Sequence, residues 1–259
     1  MIDLARDALT LASGGLVGFS LGLVGGGGSI LAVPLLVYLV GIGDAHVAIG
    51  TSAVAVASNA GINLVSHARK GAVKWRCASV FAAAGVVGAL IGSFAGRQVD
   101  GDNLLALFAV LMLVVGGLML RNRSGQGLPD VRLSAENGPR LVGLGFGTGL
   151  LSGFFGIGGG FLIVPGLILA TGMPILNAVA SSLVGVAAFG VTTASSYAWA
   201  GLVDWRVAAI FIAGGVVGGL IGARVARIMN RKRGALNVLF AGLIFVVALY
   251  MLARTLGPF

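Results

Sequence analysis

The chain has 259 residues, 58% of them hydrophobic and only 10% charged, with a mean hydropathy of +1.04. Soluble domains carry about 25% charged residues, so a water-soluble fold is excluded and an all-α polytopic membrane protein is expected. The net charge of +9 does not point to nucleic acid, because the basic residues gather at segment ends and loops, as the positive-inside rule requires.

The amino-terminal stretch places Asp3, Arg6 and Asp7 ahead of a long apolar run. It lacks the short core and small-residue cleavage site of a signal peptide and is expected to be retained. The first apolar segment, 9–40, would be about 48 Å long as one helix, against a hydrocarbon core of about 30 Å. Gly25, Gly26, Gly27 and Gly28 fall inside it, followed by Ser29 and, a few residues on, Pro34. Each glycine costs about 1 kcal/mol relative to alanine in a helix, and proline suits the start of a new one. The segment therefore reads as two half-helices meeting at a Gly-rich break, a feature stable at membrane depth only where protein or a wet cavity covers it.

The second segment, 45–68, opens near His46 and carries a polar stripe of Thr51, Ser52, Asn59, Asn63 and Ser66. Its end holds His67 beside Arg69 and Lys70, which reads as a surface position. Trp75 is an interfacial anchor, and the lone Cys77 excludes an internal disulfide or a Cys-based metal cluster. In the third segment, 77–95, small residues recur at Ala84, Gly88, Gly92 and Gly96, the close-approach pattern of membrane helices. Arg97 follows, placed to snorkel or to draw anions into a vestibule. The fourth segment is 103–120, and 121–140, with its glycines, prolines and charges, reads as a polar linker between repeats 1–120 and 141–259.

The second half then says the same thing again. Gly156-Ile157-Gly158-Gly159-Gly160-Phe161-Leu162-Ile163-Val164-Pro165 repeats the run from Gly25 to Pro34 about 130 positions later. Gly201 to Arg206 repeats Gly71 to Arg76, with Trp205 matching Trp75. Gly214, Gly218, Gly222 and Ala226 repeat the small-residue stripe, and Ser181 and Ser182 match Thr51 and Ser52. Arg227 matches Arg97. The segments are 141–171, 175–200, 207–226 and 235–252, so each repeat has four, the first broken at glycine.

Charge chooses between two topologies. If every segment crosses once, 11 Lys/Arg lie inside and 6 outside; if each broken segment turns back on itself, 13 lie inside and 4 outside. The second arrangement obeys the positive-inside rule better and makes the halves inverted repeats, the architecture of many carriers.

The paired breaks ending in Val-Pro, with Ala48-Ile49-Gly50-Thr51-Ser52 and Gly71-Ala72-Val73-Lys74-Trp75-Arg76, resemble the sulfite exporter TauE/SafE family over nearly the whole chain. The resemblance implies a small permease of the cytoplasmic membrane, moving sulfite, other sulfur oxyanions or organosulfonates. One departure is Ile157, where the first copy has Gly26.

Helix N-termini bind anions through unpaired N–H groups, and glycine admits the anion to the backbone. Gly27, Gly28, Ser29, Gly158, Gly159 and Gly160 are the expected donors, with Thr51, Ser52, Ser181 and Ser182 as hydroxyl ligands and His46 as a possible coupling group. Ser58, Asn59 and Thr192 read as helix glue. All eight acids lie at segment ends or in loops, so no intramembrane carboxylate is available for coupling. No catalytic constellation, cofactor motif or metal-ligand spacing occurs, so no enzyme is expected. The expected function is a secondary carrier of a small anion held between the two breaks near the midplane; a passive anion channel, or a permease for another small solute, is the alternative.

Overall fold

The computed structural model describes residues 2–121, 133–156, 160–228 and 233–256, and among them every regular element is helical. α1 spans Ile2–Val24 and stops where the glycines begin. Gly25–Leu31 winds as a 3₁₀ helix, followed by a single turn α2 (Ala32–Pro34) and a π-turn over Leu35–Leu39. Pro34 has no N–H to give, and the ladder after it reopens wider, with Val40 N–H donating to the Leu35 carbonyl at 2.9 Å and Ile42 N–H to Leu36 at 3.0 Å.

α3 (Ala45–Ala68) starts on Asp44, whose carboxylate accepts from His46 N–H at 2.8 Å and Val47 N–H at 3.3 Å, an N-cap that satisfies two otherwise orphaned donors. α4 (Trp75–Gly96) and α5 (Gly101–Arg121) complete the first half. α6 (Gly138–Phe155) ends at Gly156, whose φ of +67° only glycine adopts freely. α7 (Gly160–Thr171), α8 (Ile175–Trp199), α9 (Trp205–Ile228) and α10 (Arg233–Leu256) follow. Segment 45–68 coincides with α3, and the two long segments, 9–40 and 141–171, each lose their α-helix at glycine. Several boundaries are corrected, Arg121 of the expected linker closing α5 among them. α1 begins at Ile2, so Asp3, Arg6 and Asp7 are helical, and Gly138–Arg140 belong to α6 rather than to the linker, of which 122–132 lie outside the described residues.

Glycine contacts fix the direction of each helix. α1 lies on α9 so closely that a methyl at Gly14, Gly18 or Gly22 would strike the backbone of Phe211, Gly215 or Gly219. The two series of numbers rise together, so the helices are parallel. α4 lies on α6 in the same way, Gly88, Gly92 and Gly96 meeting Phe146, Leu150 and Phe154. Close approach of bare backbones is how apolar helices gain dispersion energy where lipid offers no hydrophobic drive. By contrast α3 and α8 are antiparallel, with Gly50 near Tyr197 and Ala57 near Gly190. Asn59 meets Gly215 and Asn63 meets Gly219, so α3 also runs parallel to α9. Since α1, α3 and α9 all point one way, 25–39 must carry the chain back along α1, and Gly28 does sit against Ser20 and Leu21.

The pairing is unchanged when the halves are exchanged. α1 packs on α9 as α6 packs on α4, and α3 on α9 as α8 on α4. Each half thus completes the other, which no segment-by-segment reading shows. The outer faces of α4 and α9 expose Val87, Leu90 and Ile91, and Val217, Leu220 and Ile221, and Trp75 and Trp205 stand exposed at the helix starts. Four described helices are long and apolar enough to cross a membrane: 45–68, 75–96, 176–199 and 205–225. The Arg206–Asp7 ion pair, 2.8 Å with both partners solvent-accessible, ties the start of α9 to α1. Asp7→Asn is expected to lower the unfolding free energy by less than about 1 kcal/mol, measurable by denaturant titration in detergent.

Candidate functional site

The two glycine breaks lie at opposite ends of the bundle. Gly156 rests on the Ile49 side chain near the start of α3, whereas Gly28 rests on Ser20 and Leu21, next to Gly22, which shares the level of Gly219 and therefore of Asn63. From Ile49 to Asn63 is about 20 Å along α3 at about 1.5 Å per residue. A single small anion cannot touch both, which corrects the expectation of one guest held between the two breaks. The returning segments do meet, because Gly25–Leu31 packs on α7 and on α8. Each break is therefore lined by the second long helix of the other half.

Gly27 lies in the 3₁₀ tract, and Gly28 and Ser29 are buried there. Gly160 is buried at the first residue of α7; Gly158 and Gly159 lie outside the described residues. No side chain fits at Gly28, where a Cβ would meet the backbone of Leu21 and Ser20. Packing alone thus accounts for the glycine at this position.

The hydroxyls divide into two matched pairs. Thr51 Oγ1 accepts from Asp204 N–H at 2.9 Å, and Ser181 Oγ accepts from Lys74 N–H at 2.9 Å. Both are fully or almost fully buried, and each pins the loop that opens the third long helix of the opposite half. Ser52 and Ser182 instead donate to Ile49 and Val179 carbonyls, each at 2.8 Å. Thr51 and Ser181 are therefore joints between halves, whereas the Ser52 and Ser182 hydroxyls bond within their own helices. Thr51→Val and Ser181→Ala are each expected to lower stability by about 1–3 kcal/mol, the cost of a buried N–H left unpaired. The double variant should be additive, the sites being far apart; thermal unfolding checks both.

Ser58 and Thr192 donate to carbonyls four residues back on their own helices, not across to a neighbouring helix as expected of helix glue. Asn59 is fully buried with neither amide atom hydrogen-bonded. Its counterpart Phe189 fills the equivalent space over Gly85 and stacks on Phe81, so the halves differ chemically here.

His46 is part of a cluster that the sequence reading did not assemble. Its ring centre lies 6.4 Å from that of Tyr197, and the Arg97 guanidinium carbon lies 5.9 Å from the Tyr197 ring centre. Tyr197, 0% exposed, was missed altogether: the matching position holds His67, so the duplication gives no signal for it. The Arg227 side chain, the counterpart of Arg97, lies outside the described residues. Among the described residues no group of His, Cys, Asp and Glu is arranged to hold a metal ion.

These features define a multi-pass helical membrane protein whose halves interlock around paired backbone breaks. The sulfite exporter TauE/SafE family model matches residues 10–251, and the chain belongs to that family. It is 50% identical to a probable membrane transporter protein of Xylella fastidiosa, over 95% of both chains. It is 27% identical to the probable membrane transporter protein YunE of Bacillus subtilis, over 84% of this chain and 88% of that one. It is 26% identical to the probable membrane transporter protein MJ0441 of Methanocaldococcus jannaschii, over 92% and 93%. No solved structure matches the chain. The family and these relatives are membrane transporters, not enzymes.

Proposed function

We propose that the protein is a secondary carrier of the cytoplasmic membrane for a small anion, with sulfite or an organosulfonate as its cargo. The observation that carries this reading is the pair of backbone breaks, one at each end of the bundle, each with a returning segment behind it and packed against the helix of the opposite half that carries a buried serine (Ser52 on α3, Ser182 on α8). Backbone N–H groups at a helix start bind anions without a buried cation. The antiparallel packing of α3 on α8 and the exchange of α1 and α6 between halves support inverted repeats. In that arrangement the loops rich in Lys and Arg, including Arg69, Lys70, Lys74 and Arg76, face the cytoplasm. The cargo then visits one break after the other, each exposed to its own side in turn.

Proteoliposomes loaded in turn with sulfite, sulfate and short sulfonates test the proposal. Saturable, protein-dependent flux of sulfite or a sulfonate is expected. Equal leakage with and without protein for every anion would refute it, and flux that never saturates would make the protein a channel.

A further inference from the structure

A cavity of about 690 Å³ opens between the start of α3 and the α4–α5 loop, lined among others by Asp44, His46, Arg97, Gln98, Asp100 and Asp102. Its polar groups divide by depth. Asp44, Asp100 and Asp102 are exposed at the rim, while His46 and Arg97 are half-buried. Arg97 makes no ion pair among the described residues despite three carboxylates in the same cavity; its Nε contacts only the Ser93 carbonyl, at 3.4 Å. His46 Nδ1 and the Tyr197 hydroxyl are both buried without a hydrogen-bond partner. The Tyr197 ring thus has both the His46 imidazole and the Arg97 guanidinium beside it, and of these His46 and Arg97 line the cavity. Unpaired polar groups in a low-dielectric setting are costly, and an oxyanion accepts from a guanidinium and an imidazole together. Three residues along α3 from His46, Ile49 covers Gly156, so the cavity adjoins the second glycine break.

We propose that this cavity is an oxyanion-binding vestibule, separate from the breaks, with Arg97 and His46 as its donors. The inference rests on the anion reading above. The charged and titratable groups around His46 are Asp44 on its own helix, Arg97 from α4, Asp100 and Asp102 at the start of α5, and Tyr197 from α8. Asp204, near the same end of the bundle, has its carboxylate on the Val207 N–H at 3.0 Å. The three carboxylates are exposed and screened by water, whereas Arg97 and His46 sit deeper, where charges are screened less. The opposite half holds Leu176 and His67 at the positions of His46 and Tyr197. The device therefore belongs to one face of the membrane.

The test is isothermal titration of purified protein in detergent with methanesulfonate. Arg97→Gln should weaken binding at least about tenfold, and Arg97→Lys should recover part of it. His46→Gln should weaken it severalfold. Size-exclusion profiles establish that each variant is folded. Binding within twofold of wild type for Arg97→Gln overturns the inference. The same variants in proteoliposomes should raise the KM for sulfonate with the maximal rate retained. If wild type moves no anion while binding behaves as described, the carrier reading fails and the vestibule stands. If anions move and neither Kd nor KM responds to Arg97, the vestibule fails alone.

Discussion

Gly18→Leu and its counterpart Gly149→Leu are expected to destroy the assembled fold, each lowering stability by more than about 4 kcal/mol. A Cβ at Gly18 meets the Gly215 carbonyl, and one at Gly149 meets the Gly85 backbone. Neither obstacle can turn aside, because both are main-chain atoms of a neighbouring helix. The helices must separate, and the loss spreads along the whole α1–α9 or α4–α6 contact, where glycine meets backbone at every fourth residue. Two internal controls isolate the cause. Gly61 and Gly147 are helical glycines with open space around their missing Cβ, so Gly61→Leu and Gly147→Leu should stay within about 0.5 kcal/mol of wild type. The measurement is unfolding temperature in detergent together with the yield of monodisperse protein. Equal stability of Gly18→Leu and Gly147→Leu would show that the helices are not interlocked as described.

Gly28→Val is expected to abolish transport, by at least about a hundredfold, the scale of loss when a site is displaced by about 1 Å. Membrane insertion should survive, because insertion responds to the hydropathy of the segment and valine raises it. The damage follows from geometry, since the new side chain meets the backbone of Leu21 and Ser20 and pushes 25–39 away from α1. That segment packs on α7 and α8, so both the break and the opposing helices lose their positions. Gly61→Ala, where nothing lies within 4 Å of the added methyl, should transport normally. A Gly28→Val protein that carries anions at the wild-type rate would mean that the first break takes no part in the cargo's path.

Gly25–Gly28 and Gly156 were legible as the sites of breaks because helix propensity is local: clustered glycines weaken a helix whatever surrounds them. The stripes at Gly88, Gly92, Gly96 and Gly214, Gly218, Gly222 were legible as packing faces for the same reason, their period being that of one helix. Their partners were not. The stripe of α4 meets α6, and that of α9 meets α1, a choice made between segments more than fifty residues apart. Thr51 and Ser181 looked like ligands because hydroxyls suit an oxyanion. The loops they hold, at Asp204 and Lys74, lie 153 and 107 residues away, beyond any pattern that spacing can show. Tyr197 was invisible for a related reason, since its importance comes from Arg97 and His46 on two other helices.

By itself, then, the sequence determined the membrane class, the helical spans, the position of both breaks and the duplication, because burial in lipid and glycine's low helix propensity act residue by residue. Only the tertiary structure decided that the breaks stand about 20 Å apart along α3, that each half supplies the wall of the other's break, and that Arg97 and His46 share one cavity with Tyr197 packed beside both. Those outcomes depend on which backbones can approach one another, a property of pairs of helices that no single segment encodes.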